Sequence, residues 1–194
     1  MINQIQLPVT SFPELITANL RLRELVPADA EAVYRIYADK EVTRFYDLDT
    51  FDDVRQATEL IRRQRSRFER GEGLRWGIAQ RANNVIIGTV GYVFSQHNAQ
   101  GGIGYDLARP YWRKGIMSET LQLIIHYGFS SLKLNRIQAL VIPGNSASVG
   151  LLMKLGFEEE GLLRDYAFFK GRYNNLICFA LLKRDYGSRD YTPT

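Results

Sequence analysis

Arg113-Lys114-Gly115, standing directly before an apolar-periodic stretch that opens at Ile116, is a combination that binds anions. Ile103 to Ala108 is a run that can be buried as a strand. Pro110 ends it, because proline cannot donate to a sheet ladder. Beyond the basic turn, Ile116, Thr120, Leu123, Ile124 and Tyr127 recur at helical spacing. A strand feeding a loop that opens on a helix leaves backbone N–H groups pointing one way, at the positive end of the helix dipole. Gly115 lets a phosphate approach the backbone, and Arg113 and Lys114 add charge. An ordinary strand-to-helix turn with a solvated basic tip has the same composition, so the functional reading needs a second element in the right place.

That element is Asn145 to Phe157, a short helix in which Asn145 or Ser146 supplies the N-cap. Leu151, Leu152 and Leu155 are its buried positions, and Gly156 closes it. Between the two lies Arg136 to Ile142, a short apolar strand, parallel to the one at 103–108 if the connecting helix is a right-handed crossover.

The rest of the chain must position these pieces. Residues 1–18 have no clear period and read as a loose arm. Asn19 to Val26 alternates as a strand. Pro27-Ala28-Asp29 starts a helix with proline in the first turn, where its missing N–H costs nothing. Residues 39–53 are an acid-rich connection, and Thr50 with Asp53 reads as the cap of the next helix. That helix runs to about Arg70, with Val54, Ala57, Ile61, Gln64 and Phe68 on one face. Arg62, Arg63, Arg65, Arg67 and Arg70 lie elsewhere on it, either as a solvated surface or as a binding patch. Strands follow at 74–80 and 85–94, joined by an Asn83-Asn84 hairpin turn. Two antiparallel strands, Phe157 to Lys170 and Arg172 to Lys183, finish the domain, and 185–194 is a polar tail.

Composition bounds the function. A chain of 194 residues with 45% hydrophobic and 24% charged residues fits one globular domain. No apolar run approaches the roughly 20 residues of a membrane span, and the N-terminus lacks the features of a signal peptide. One cysteine excludes a disulfide framework, and two histidines, His97 and His126, make a metal site a poor expectation. Cys178 sits in an apolar strand and reads as core. A cytoplasmic protein is expected. The net charge of +4 suits an anionic ligand but does not argue for direct nucleic-acid binding.

Leu107-Ala108-Arg109-Pro110-Tyr111-Trp112-Arg113-Lys114-Gly115-Ile116-Met117-Ser118-Glu119 resembles the acetyl-CoA pyrophosphate loop of the GNAT N-acetyltransferases. Asn145-x-x-Ser148 through Lys154-x-Gly156-Phe157 resembles their following motif. Gly156 to Arg164 with Gly171-Arg172-Tyr173 is similar to the RimJ/RimL branch, which acetylates ribosomal-protein N-termini. The resemblance covers roughly residues 18–184. It implies an α/β GNAT fold whose mixed, mostly antiparallel sheet of about seven strands is splayed between 103–108 and 136–142. The pantetheine arm of the cosubstrate would pair with backbone at Tyr105, Asp106 and Leu107. The pyrophosphate would sit on the amides of Arg113, Lys114, Gly115, Ile116, Met117 and Ser118, flanked by Trp112, with Asn145 and Ser148 beside the thioester.

Three departures from the family pattern bear on mechanism. Leu152 stands where many relatives have the tyrosine that protonates the leaving thiolate. Ser148 is the remaining proton donor, found in that role in this branch, or it is a capping hydroxyl. Gly102 and Ala167 stand where relatives carry glutamates, so the base is not identified; Asp106 and Asp165 are the carboxylate candidates, acting through water. For Asp165 a surface strand residue beside a basic neighbour is the competing reading. The resemblance implies transfer of acetyl from acetyl-CoA, with no metal, to the N-terminal amine of a ribosomal or other protein. A small amine such as a polyamine or an antibiotic is the alternative. A non-catalytic acyl-CoA-binding regulator is an alternative of another class, and a homodimer is left open. The acidic residues of 39–53 sit where relatives build the acceptor wall and would favour a basic N-terminal segment.

Overall fold

A computed structural model describes residues 11–95 and 98–187. His97 therefore lies outside the described residues, as do the ends of the arm and the tail. In chain order the elements are β1 (Leu15–Ile16), β2 (Leu20–Glu24), a 3₁₀ turn (Pro27–Asp29), α1 (Ala30–Tyr37), α2 (Lys40–Thr43) and α3 (Val54–Glu69). Next come β3 (Gly73–Gln80), β4 (Ile86–Ser95), β5 (Gln100–Leu107), a second 3₁₀ turn (Arg109–Tyr111) and α4 (Ile116–Ser130). β6 (Arg136–Val141), α5 (Ser146–Lys154), β7 (Glu158–Phe169), β8 (Arg172–Leu182) and α6 (Lys183–Tyr186) complete the fold.

One sheet of eight strands runs in the order β1-β2-β3-β4-β5-β6-β8-β7. Period-2 alternation feeds two cores, one on each face. Trp76, Ile78 and Ile87 join Leu121, Ile124 and Phe129 of α4. Ala79 and Ile86 instead join Val33, Ile36 and Tyr37 of α1 and Ala57, Leu60 and Ile61 of α3. The one parallel pairing among the described residues is β5 with β6, and it covers only Gln100↔Arg136, Gly101↔Ile137 and Gly102↔Gln138. Beyond Gly102 the two strands part, so the edges of Ile103–Leu107 and Ala139–Val141 that would face each other have no strand partner. This is the splay that the resemblance implies.

Several boundaries differ from the sequence reading, each for a local reason. The eighth strand, β1, comes from the expected arm. Phe12 packs on Phe68 and Trp76, and the Trp76 Nε1–H donates to the Pro13 carbonyl at 2.7 Å. The acid-rich connection contains α2, capped by Asp39, whose carboxylate accepts from the Glu41 N–H at 2.9 Å. At the start of α3, Asp53 is the cap and Gln56 reaches back to it, while Thr50 pairs with Thr43 instead. α6 takes the end of the last expected strand and the first residues of the expected polar tail.

Candidate active site

The loop between β5 and α4 is built to present backbone donors. Arg113 and Gly115 both lie in the left-handed region, with φ of 59° and 78°. Glycine adopts this without strain. The first intrahelical bond runs from the Glu119 N–H to the Gly115 carbonyl, 3.0 Å. Gly115 is the N-cap and offers no side chain to the helix. The amides of Ile116, Met117 and Ser118 consequently have no acceptor among the described residues. A Ser, Asp or Asn cap would have consumed one of them. A β-carbon at Gly115 would meet no atom within 4 Å, so the approach is open. The Trp112 Nε1–H donates to the Leu107 carbonyl at 2.6 Å and ties the loop to the end of β5. Lys114 Nζ lies 5.8 Å from the Tyr111 ring centre, leaving its charge at the exposed rim. These features fit a pyrophosphate-bearing ligand.

Ser148 sits where β5 parts from β6. Asn145 is the N-cap of α5 and accepts from the Ser148 N–H at 3.2 Å. The Ser148 hydroxyl itself caps nothing: its partner is the Tyr105 hydroxyl, 2.7 Å away. Burial pushes the Tyr105 phenol up to about 12, and the hydrogen bond with Ser148 opposes that shift only in part. The Tyr105 phenol therefore holds its proton at neutral pH. Leu152 is fully buried in the core. Sequence reasoning named Tyr105 only for its backbone and missed its side chain. Strand alternation was the available signal, since it sets Tyr105 and Asp106 on opposite faces.

Asp106 lies buried among hydrogen-bond donors. Its Oδ2 accepts from the hydroxyls of Tyr37 (2.7 Å) and Thr89 (2.6 Å) and from Arg75 Nη2 (2.7 Å), while Oδ1 accepts from the Thr89 N–H at 3.1 Å. Three donors crowd Oδ2 and one reaches Oδ1 of a group that offers about four acceptor positions. Its side chain is 2% exposed. Arg75 also donates to the Tyr46 hydroxyl (2.7 Å) and to Thr89 Oγ1 (2.8 Å). Burial by itself opposes the Arg75 charge, but Tyr46, Tyr37 and Asp106 hold its pKa above the ordinary value. Burial and the Asp106 charge raise Tyr37 well above the usual phenol. The network fixes β3, β4 and β5 to α1 and holds Tyr46 in place. Tyr37→Phe should lower the free energy of unfolding by about 2 kcal/mol, the cost of removing one hydrogen bond from a buried charge. Denaturant melts measure it.

Asp165 does not reach the site. It is exposed on an irregular stretch of β7, with φ of 47°. Its N–H donates to Asn175 Oδ1 at 2.8 Å. His126 is exposed and meets Tyr186 at 3.3 Å. Cys178 is buried in β8 near Arg136 and Glu160. Among the described residues no group of three or more His, Cys, Asp and Glu could hold a metal.

The splay opens into a cleft of about 760 Å³. Tyr105 and Ser148 lie in it with Phe45, Tyr46 and Asp47, Arg63 and Arg67 of α3, and Phe168 of β7. Lys170 Nζ donates to the Thr43 carbonyl at 2.6 Å and ties the β7–β8 hairpin to α2. The acidic wall predicted for 39–53 is dispersed. Asp39 pairs with Arg109, Glu41 with Arg44 and Asp53 with Arg55. Asp49 and Asp52 line a different groove, so Asp47 alone of these carboxylates lines the cleft.

Comparison with known proteins agrees with this architecture. The family profile described as an acetyltransferase (GNAT) domain matches residues 19–158. The uncharacterized N-acetyltransferase p20 of Bacillus licheniformis is 42% identical over 173 residues, 89% of this chain and 97% of that protein. The ribosomal protein uS5-alanine N-acetyltransferase of Escherichia coli is 34% identical over 84 residues, 43% of each chain. Mycobacterium smegmatis RimJ, solved in complex with CoA-disulfide, superposes with a TM-score of 0.77 at 23% identity, over 86% of this chain and 83% of that one, and shares the fold. No helix among the described residues is long and apolar enough to cross a membrane. A profile match over most of the chain, on a sheet splayed at an open helix N-terminus, places this protein in the GNAT family of N-acetyltransferases.

Proposed function

We propose that the protein transfers an acetyl group from acetyl-CoA to the N-terminal α-amine of a ribosomal or other protein. The observation that carries this reading is the Tyr105–Ser148 hydroxyl pair, held at 2.7 Å where β5 leaves β6. The uS5-alanine relative supports the acceptor class.

Acetyl-CoA, when bound, supplies the activated acetyl group. The chain's own residues do the rest. The amides of Ile116, Met117 and Ser118, with Arg113 and Lys114, would hold the pyrophosphate. Backbone of Tyr105 to Leu107 on the edge turned away from β4, apart from the Leu107 carbonyl that accepts from Trp112, and the Asn145 turn would hold the arm. As the amine nitrogen replaces sulfur on the acetyl carbon, Ser148 would donate its Oγ proton to the leaving thiolate, Tyr105 would restore the Ser148 proton, and the proton shed by the amine would return to Tyr105 through water. Asp106 acts through the Arg75–Tyr46 network as a positioning residue.

No base stands in the cleft among the described residues except Asp47. An α-amine has a pKa of about 7.7–8.0, so losing its proton at pH 7 costs about 1 kcal/mol; a lysine side chain near 10.4 costs roughly 4–5 kcal/mol. The site therefore suits an α-amine. kcat/KM should rise with pH and level off above about 8 as the amine deprotonates. Burial pushes the Tyr105 phenol up to about 12 and so keeps it protonated, and no falling limb should appear at moderate pH. A falling limb centred near pH 7 would remove Tyr105 from the role.

The acceptor class is tested by mass spectrometry of three amines: a peptide with a free α-amine, the same peptide blocked there with a lysine left free, and spermidine. Acetylation of the first should be fastest. Faster acetylation of spermidine would establish the small-amine alternative.

A further inference from the structure

The arginines of α3 divide into two sets. Arg62 pairs with Glu59 at 2.7 Å, Arg65 with Glu69 at 3.0 Å and Arg70 with Glu72 at 2.8 Å. Arg55 pairs with Asp53 at the first turn. The carboxylates along this helix are used by those arginines. The Arg63 and Arg67 side chains make no close ion pair or hydrogen bond among the described residues, although Arg63 adds to the pull of Arg62 on Glu59 and Arg67 to that of Arg70 on Glu72. They stand one turn apart, at the (i, i+4) spacing that puts two side chains on one face. They are also the two arginines of α3 that line the cleft holding Tyr105 and Ser148. Arg75, the third arginine there, is neutralised by Asp106 at 2.7 Å. Asp47 is the only carboxylate among the described lining residues.

We infer that the acceptor carries an anionic group, and that Arg63 and Arg67 select it: the substrate is an N-terminal segment with acidic side chains following its α-amine. Two guanidinium groups on one face can clasp a carboxylate by paired, charge-assisted hydrogen bonds. Arg67 is half-buried and lines this cleft alone, while the exposed Arg63 stands between it and the neighbouring groove of Asp49, Asp52 and Asp53. This reverses the preference for a basic segment that the acid-rich sequence of 39–53 suggests, because all of those acids except Asp47 are paired or line another groove. The inference rests on the acetyl-transfer reading and names its acceptor.

The test compares peptides with one N-terminal residue followed by glutamates, glutamines or lysines, with free glutamate and spermidine as small amines. The wild type should prefer the glutamate peptide, and added salt should raise its KM. Arg63→Gln and Arg67→Gln should each lower kcat/KM for that peptide on the order of tenfold, with little effect on the glutamine peptide. Arg63→Glu with Arg67→Glu should turn the preference toward the lysine peptide, a gain that misfolding cannot produce. A wild-type preference for lysine, or an unchanged glutamate-to-lysine ratio in the variants, overturns the inference. If no peptide reacts but glutamate is acetylated in preference to spermidine, the protein acceptor is wrong and anion selection stands. Preference for spermidine, or no turnover with any amine, overturns both.

Discussion

Ser148→Ala should lower kcat on the order of 10²-fold and leave acetyl-CoA affinity nearly intact, because one positioned proton donor contributes about that much and acts only as the transition state forms. Tyr105→Phe should fall in the same direction, since the two hydroxyls share one hydrogen bond at 2.7 Å. The double variant should lose little more than the worse single one, as residues acting as a unit do not add. Steady-state kinetics with a thermal melt of each protein measure this. The melt separates chemistry from capping: Asn145 makes the cap bond to the Ser148 N–H, and that bond survives loss of the serine hydroxyl. Ser148→Ala that turns over normally but melts lower would make the hydroxyl purely structural. Fully additive losses would mean that Tyr105 and Ser148 serve separate steps.

Gly115→Glu should abolish acetyl-CoA binding. In the wild type, saturating acetyl-CoA should raise the melting temperature, since a ligand that binds only the folded state stabilises it; about 2.7 kcal/mol accrues at a hundredfold excess over Kd. The substitution acts in two ways. It puts a non-glycine residue at φ of 78°, and it sets a carboxylate at the mouth of the unpaired amides of Ile116 to Ser118. The space around Gly115 is open, so the variant should fold and melt with only a modest loss. An acetyl-CoA shift equal to that of the wild type would remove the loop from the cosubstrate site. Gly115→Ala has the backbone strain without the charge and should keep part of the shift.

Much of this site is legible in the chain. Pro110, the Arg113-Lys114-Gly115 turn and the Ile116 periodicity specify strand, loop and helix, and the open amides follow from the absence of a capping side chain. Asn145 is readable as a cap by type alone. What the chain conceals is partnership across the fold. Asp106 looks like a base until Arg75, Tyr37 and Thr89, distant in sequence, are found around it. The acids of 39–53 look like one wall until their ion pairs and two separate grooves divide them. β1 is too short to show a period, and only the packing of Phe12 and Trp76 reveals that the arm is seated. Periodicity reports which face is buried; it does not report which polar group a buried polar group meets.

The central claim is that the splay between β5 and β6, with Tyr105 and Ser148 at its opening, is an acetyl-transfer site and not only an acyl-CoA pocket. Release of free CoA thiol from acetyl-CoA, followed with a thiol reagent as an α-amine peptide is titrated in, tests this most directly. Thiol release should depend on the peptide, stop when its α-amine is blocked, and fall on the order of 10²-fold in Ser148→Ala. A thermal shift with acetyl-CoA but no amine-dependent thiol release from any peptide or small amine would contradict it, and would leave a protein that binds the thioester without using it.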